Sequence, residues 1–235
     1  MIEHYPDPAD ALEAERALVD RFRDPSVNYH MSWWTTTQSL VAPRSLKRAP
    51  GIDNAIKLSA CSDWPVFFRQ TGGAVTPQGA GVLNVAVAFA LDPIERPSIV
   101  AVYEMFCAPI LRWLQDRGCD AHTGFVPGSF CDGEFNIVLQ NRKLAGTAQR
   151  WTRIRANESR QIVFAHALLL LDANLEAQVA AINRLHDNCQ VQQVIQTCKH
   201  VNIHDVLVKP PIDWQASMVK DLSNLYENEL IALTS

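Results

Sequence analysis

Apolar residues recur along this chain with two different periods. Between residues 8 and 23, Leu12, Leu18, Val19 and Phe22 fall at helical spacing with acidic residues opposite, and predict a helix that Asp24-Pro25-Ser26 ends. Across residues 98–117, Ile99, Val102, Phe106, Ile110, Trp113 and Leu114 share one face of a second helix. Ser98 suits its N-cap, Gly118 its C-cap, and Pro109 predicts a kink. Leu175, Val179, Ile182 and Leu185 predict a third helix after Asp172, and a last one covers about 214–233, set off by Pro210-Pro211.

Strand patterns lie between them. Residues 29–41 are rich in Tyr, Trp, Thr and Val and read as one strand, followed by a basic, polar loop over 43–53. A short run over 66–68 stops at Thr71-Gly72-Gly73, and residues 82–91 alternate apolar with small or polar positions. Residues 135–139 and 144–151 predict a hairpin around Asn141-Arg142, and 162–171 reads as a buried strand. Helices and strands mix without β-α-β alternation, so the class is α+β. With no internal repeat and no low-complexity linker, residues 1–235 read as a single domain, its core about 10–190 with a C-terminal helix at about 214–233.

Composition narrows the function classes. A net charge of −4 argues against a nucleic-acid partner, which needs a basic face. No apolar run is long enough for a membrane span, and the acidic N-terminus lacks the layout of a signal peptide. The six cysteines form no C-x-x-C pair and no zinc-like spacing, so no metal site is expected. They read as reduced thiols of a cytoplasmic protein.

Candidate chemistry gathers at a few points. Adjacent Gly72 and Gly73 after a strand permit either a plain turn or close approach of a ligand to the main chain. Asn84 interrupts an apolar strand, as a satisfied structural amide or as a group that fixes a ligand. Lys143 precedes the small residues Ala145, Gly146 and Ala148; it is either a solvated charge or a cation facing a narrow groove. Cys131 sits among Gly128, Ser129, Asp132 and Gly133, a loop composition that favours an accessible thiol able to carry an acyl group. His166 on its apolar strand reads as structural, with a pocket-lining role as the alternative. Cys119 and His122 make at most half a metal site. Arg150, Arg153 and Arg155 are a solvated basic face or a landing strip for an acidic protein.

The order of these segments resembles the biotin/lipoate ligase and lipoyl (octanoyl) transferase family. The matching pieces are Arg69-Gln70-Thr71-Gly72-Gly73, Leu83-Asn84, residues 142–150 (RKLAGTAQR) and His166-Ala167-Leu168-Leu169. The resemblance implies an α+β domain with a central mixed sheet flanked by helices, and a pocket for a medium-chain acyl group. It gives Lys143 contact with the acyl carboxyl region. It places Gly72, Gly73 and Arg69 over the acyl group, and Thr71, Asn84, Gly146, Ala148 and His166 around it. The Cys131 loop, with Gly81-Val82-Leu83-Asn84, resembles the branch that moves octanoyl between the glycine cleavage H protein and other lipoyl domains. That implies a Cys131 thioester, no cofactor, and an acyl carrier or H-type lipoyl domain as partner. The ligases' extra glycine and Tyr-His-Asp are replaced here by Ala74-Val75-Thr76-Pro77-Gln78. The alternatives are an ATP- and Mg-dependent lipoate ligase using the same pocket, and a non-catalytic binder of acylated protein.

Overall fold

The two longest apolar runs pair with each other. In the computed structural model, which describes residues 1–24, 28–91, 97–153 and 161–234, β6 (Val82–Leu91) lies antiparallel to β10 (Gln161–Leu170). Around them β1 (Ile2–Tyr5), β2 (Tyr29–Thr36), β7 (Ala121–Gly124), β8 (Asn136–Leu139) and β9 (Arg142–Thr152) complete a sheet ordered β1-β2-β6-β10-β9-β8-β7. Its β1–β2 pair is parallel and the other pairs antiparallel, so the sheet is mixed. A smaller sheet runs β4 (Val66–Arg69), β3 (Ser39–Pro43), β5 (Thr76–Gln78).

Strand alternation sorts the core. Odd-numbered residues of β6 and β10, among them Val85, Phe89, Val163 and Leu169, pack against α3 (Ile99–Gln115) and α6 (Trp214–Thr234). On the other face the apolar cover is split. Ala86, Ala88, Ile162 and Phe164 meet Leu18 of α1 (Pro8–Asp20) and Phe22 of the turn that follows it. Val82, Leu168 and Leu170 meet the small sheet, α2 (Ile52–Cys61) and α4 (Leu175–Asn188). The candidate site lies where these two clusters part. A short α5 (Ile203–Val206) precedes the final helix.

Most elements form where the pattern places them, with instructive departures. Residues 29–41 are two strands, not one: the chain leaves the large sheet at Thr37-Gln38 and enters the small one. The hydroxyls of Thr36 and Thr37 donate to the carbonyls of Tyr5 and Pro6 where the β1–β2 ladder ends. The loop over 43–53 instead holds a 3₁₀ turn, Arg44–Arg48, and the start of α2, whose buried face is only Ile52, Ala55 and Ser59. Helix α1 gives way to a 3₁₀ turn at Arg21–Arg23, while Pro25 and Ser26 lie outside the described residues. Ser98 caps α3 by accepting from Ala101 N–H, and the helix runs on through Pro109. The amides of Gly118 and Cys119 bond back to Gln115 and Leu114, closing its end. The hairpin turn falls one residue early, at Gln140-Asn141, both with positive φ (52° and 58°) as a two-residue turn requires.

Candidate active site

The floor of the site is a patch of small and polar residues. On the face between the two apolar clusters, the register sets Ala86, His166 and Ala148 in one row and Asn84, Leu168 and Gly146 in the next. Small side chains leave a cavity of about 40 Å³ over these rows, with Cys131, Arg69 and Glu15 in its wall. A larger depression of about 580 Å³ adjoins it, sharing Leu12, Glu15 and Arg69.

Cys131 reaches this cavity from a loop that is held at several points. The Asp132 carboxylate accepts from Val126 N–H (2.7 Å) and from Asn136 Nδ2 (2.8 Å), cinching the loop. Phe130 is buried beneath it. Cys131 itself has φ 46°, a left-handed conformation that costs a non-glycine residue about 1 kcal/mol or more. Its sulfur is met by Ala74 N–H at 3.2 Å and by the Arg69 guanidinium at 3.8 Å. A negative charge forming on Sγ therefore faces one backbone donor and one cation.

Arg69 organises the glycine loop. It is buried, and its guanidinium donates to the carbonyls of Val41 (2.8 Å), Gly72 (2.8 Å) and Ala74 (2.7 Å). Gly73 has φ 98°, and a Cβ placed there would lie 2.6 Å from the Cys131 sulfur. Gly73 is thus glycine so that the loop can close on the thiol. Gly72 is exposed with open space around it, and its carbonyl serves Arg69.

Lys143 takes neither position read from the sequence, a solvated charge or a cation facing the groove. It is completely buried and does not line the cavity; its Nζ donates to the carbonyls of Phe130 and Cys131, each at 2.7 Å. A β-bulge aims it there. Ile137 faces Ala145 but Val138 faces Lys143, so Leu144 is the extra residue. Leu144 and Ala145 both enter the core, which returns Lys143 to the same face as Gly146. A Cβ on Gly146 would sit 2.9 Å from Nζ, so this glycine makes room for the ammonium. Burial holds Lys143 down to about 8, despite the opposing pull of Cys131 and Asp132.

The remaining predicted residues fall into two polar groups. Thr71 and Glu15 bracket His166: Thr71 Oγ1 is 3.3 Å from Nε2 and Glu15 Oε1 is 3.3 Å from Nδ1. Glu15 also accepts from Trp34 Nε1 at 3.1 Å. His166 therefore lines the cavity and is hydrogen-bonded at both nitrogens. Asn84 is paired with Gln78 through reciprocal amide bonds of 2.8 and 3.0 Å, the satisfied structural amide among its two readings, while still bordering the cavity. Arg150 and Arg153 line the larger depression with Arg16 and Arg44, and Arg150 bonds the Gln70 amide; Arg155 lies outside the described residues. Cys119 donates to the Val206 carbonyl at 3.8 Å.

A buried lysine beneath a cysteine loop, a glycine loop closed over the thiol and a small-residue floor together invite comparison with known proteins. The family model described as the lipoyl protein ligase A/B catalytic domain matches residues 7–221. The chain belongs to that family. It is 37% identical over 174 residues to an uncharacterized protein of Cupriavidus necator, covering 70% of this chain and 68% of that one. It is 30% identical over 143 residues to the octanoyl-[GcvH]:protein N-octanoyltransferase of Kyrpidia tusciae, covering 60% of this chain but only 49% of the relative. The match thus spans about half the length of that transferase. A crystal structure of lipoate-protein ligase A bound with ATP superposes with a TM-score of 0.72 at 16% identity, over 100% of this chain and 91% of that one. The α+β fold with its central mixed sheet is the lipoate ligase fold.

Several participants were silent in the sequence. Glu15 sits on the acidic side of an ordinary amphipathic helix, and Gln78 in a three-residue strand. His200 follows a 3₁₀ turn in a segment with no periodic signal. Asp132 stood beside the cysteine, but its role as the acceptor that shapes the loop needs the fold.

Proposed function

We propose that this protein is an acyltransferase of lipoate metabolism that moves an octanoyl or lipoyl group to a lipoyl-domain lysine through a Cys131 thioester. The observation that carries this reading is the setting of the Cys131 sulfur. It borders a cavity floored by Gly146 and Ala148, and Ala74 N–H and Arg69 are aimed at it. The sulfur attacks the carbonyl of the acylated donor, forming the C–S bond; the donor's thiol or lysine amine leaves with the proton that the cysteine gives up. The acceptor lysine amine then attacks the thioester, and its proton returns to the sulfur. Lys143, buried outside the cavity, uses two N–H groups on the Phe130 and Cys131 carbonyls and so holds the loop from which the thiol attacks. The step needs no metal and no nucleotide.

The acyl chain occupies the cavity between His166 and Cys131. Burying about seven methylenes contributes roughly 5 kcal/mol at about 0.8 per CH₂, enough to discriminate by length. The donor or acceptor is an H-type lipoyl domain or acyl carrier whose acidic surface meets Arg16, Arg44, Arg150 and Arg153 around the larger depression.

Incubation with octanoylated carrier, followed by mass spectrometry, tests this directly. Wild type is expected to gain one octanoyl group on Cys131, labile to hydroxylamine, and Cys131→Ala none. An adduct that survives Cys131→Ala would sink the reading. A Cys131→Ser variant that still loads lipoate in the presence of ATP would replace it with adenylation.

A further inference from the structure

The segment that follows α4 grips the cysteine loop from below. Gln196 N–H donates to the Gly128 carbonyl at 2.9 Å. Four residues on, His200 Nε2 accepts from Phe130 N–H at 3.1 Å, and its ring stacks on the Phe130 ring with centroids 4.3 Å apart. Nδ1 of the same imidazole bonds the Gln196 carbonyl at 3.1 Å. Nδ1 is therefore the protonated nitrogen and Nε2 the acceptor, a single neutral tautomer. Val201 N–H donates to the Lys143 carbonyl at 3.0 Å, so the segment also fixes the strand that supplies the lysine.

His200 is 2% exposed, and no solvent route is needed for its two bonds. Burial and the nearby charge of Lys143 hold it down to about 4, which keeps the acceptor lone pair available at neutral pH. Three peptide groups around Cys131 are thus engaged: Phe130 N–H by His200, and the Phe130 and Cys131 carbonyls by Lys143. This matters because Cys131 has a backbone conformation it would not adopt unaided.

We propose that His200 is a positioning residue for Cys131: by holding Phe130 through its amide and its ring, it keeps Cys131 left-handed and its sulfur against Ala74 N–H. The proposal deepens the thioester reading of the site and rests on it for its catalytic meaning, but the geometry can be tested without any acyl substrate.

The test is site-resolved alkylation by iodoacetamide, with exposed Cys61 and Cys198 as references in the same sample and buried Cys107 as a sensor of unfolding. In His200→Leu, which fills the space without an acceptor, Cys131 alkylation relative to Cys61 is expected to fall about tenfold, the order expected when a charge-bearing sulfur loses an N–H partner. His200→Gln, whose amide oxygen reaches the place of Nε2, is expected to stay within about threefold of wild type. A role in packing alone predicts that the two variants behave alike, and that result overturns the proposal. If His200→Leu alkylates at Cys107 and is therefore unfolded, His200→Asn gives the same comparison. Its amide reaches the Gln196 carbonyl but not Phe130 N–H, and it is expected to lose Cys131 reactivity where Gln keeps it. Equal ratios in Asn and Gln, or unfolding of every variant, overturn the proposal. Octanoyl transfer is measured alongside: if wild type forms no Cys131 adduct, the transferase reading fails while the alkylation ratios still decide the role of His200.

Discussion

Gly73 shows how little volume separates a working site from a blocked one. A methyl group on Gly73 meets the Cys131 sulfur at 2.6 Å in a backbone conformation that alanine resists. Gly73→Ala is expected to lose Cys131 octanoylation almost completely while melting within a few degrees of wild type, because the loop sits at the surface; intact octanoylation would show that the loop does not close on the thiol. Lys143 carries a pH signature. Unfolded, it keeps its proton to about 10.4, whereas burial in the fold holds it down to about 8. Between those values the unfolded chain binds the extra proton, so this residue's contribution to stability grows as pH rises and is lost as pH falls through 8. The full difference is of order 3 kcal/mol. Urea unfolding at about pH 7 and about pH 10 is expected to show that increment in wild type and not in Lys143→Met, the other titrating groups cancelling in the comparison. Lys143 was legible in the sequence as a residue of interest, but not its partners. Nothing in the pattern says that a bulge at Leu144 turns it toward the carbonyls of a loop 12 residues earlier.

Elements announced themselves in proportion to their apolar periodicity. The long helix over 99–115 and the paired strands β6 and β10 were readable because each buries a continuous face or run. Helix α2 was not, since its buried face mixes a serine with two apolar residues, and the break at Thr37-Gln38 is marked only by hydroxyls of Thr36 and Thr37 that donate to the carbonyls of Tyr5 and Pro6. The C-terminal helix has a clear structural task. Met218, Leu222, Tyr226 and Leu230 are fully buried or nearly so, and the Tyr226 hydroxyl donates to the Phe106 carbonyl at 2.9 Å, tying α6 to α3. Tyr226→Phe leaves that buried carbonyl without its donor and is expected to cost about 1–3 kcal/mol in chemical denaturation. Octanoylation is expected to be unchanged, because α6 covers the opposite face of the sheet from the cavity; a loss of activity at full stability would contradict this separation.

At the scale of the whole molecule, one sheet divides two tasks: an apolar odd face that holds the fold together, and an even face whose cover is split so that a cavity remains. That cavity, at about 40 Å³, is much smaller than the several hundred Å³ typical of pockets that enclose a whole ligand. Formation of an octanoyl thioester is therefore expected to displace its walls. Hydrogen exchange should change in the amides of 70–76 and 128–133 and not in β6 or β10; unchanged exchange in both loops would mean that the chain lies outside the cavity. Among the described residues no helix is long and apolar enough to cross a membrane. The sequence alone determined the family, the α+β class and the face of each long element. Those rest on local periodicity and on motifs that survive as short contiguous strings. The tertiary structure alone decided what each motif touches. Arg69, not Lys143, approaches the Cys131 sulfur, Gln78 answers Asn84, and a histidine 70 residues downstream holds the amide of Phe130. Such contacts join segments far apart in the chain and leave no period to read.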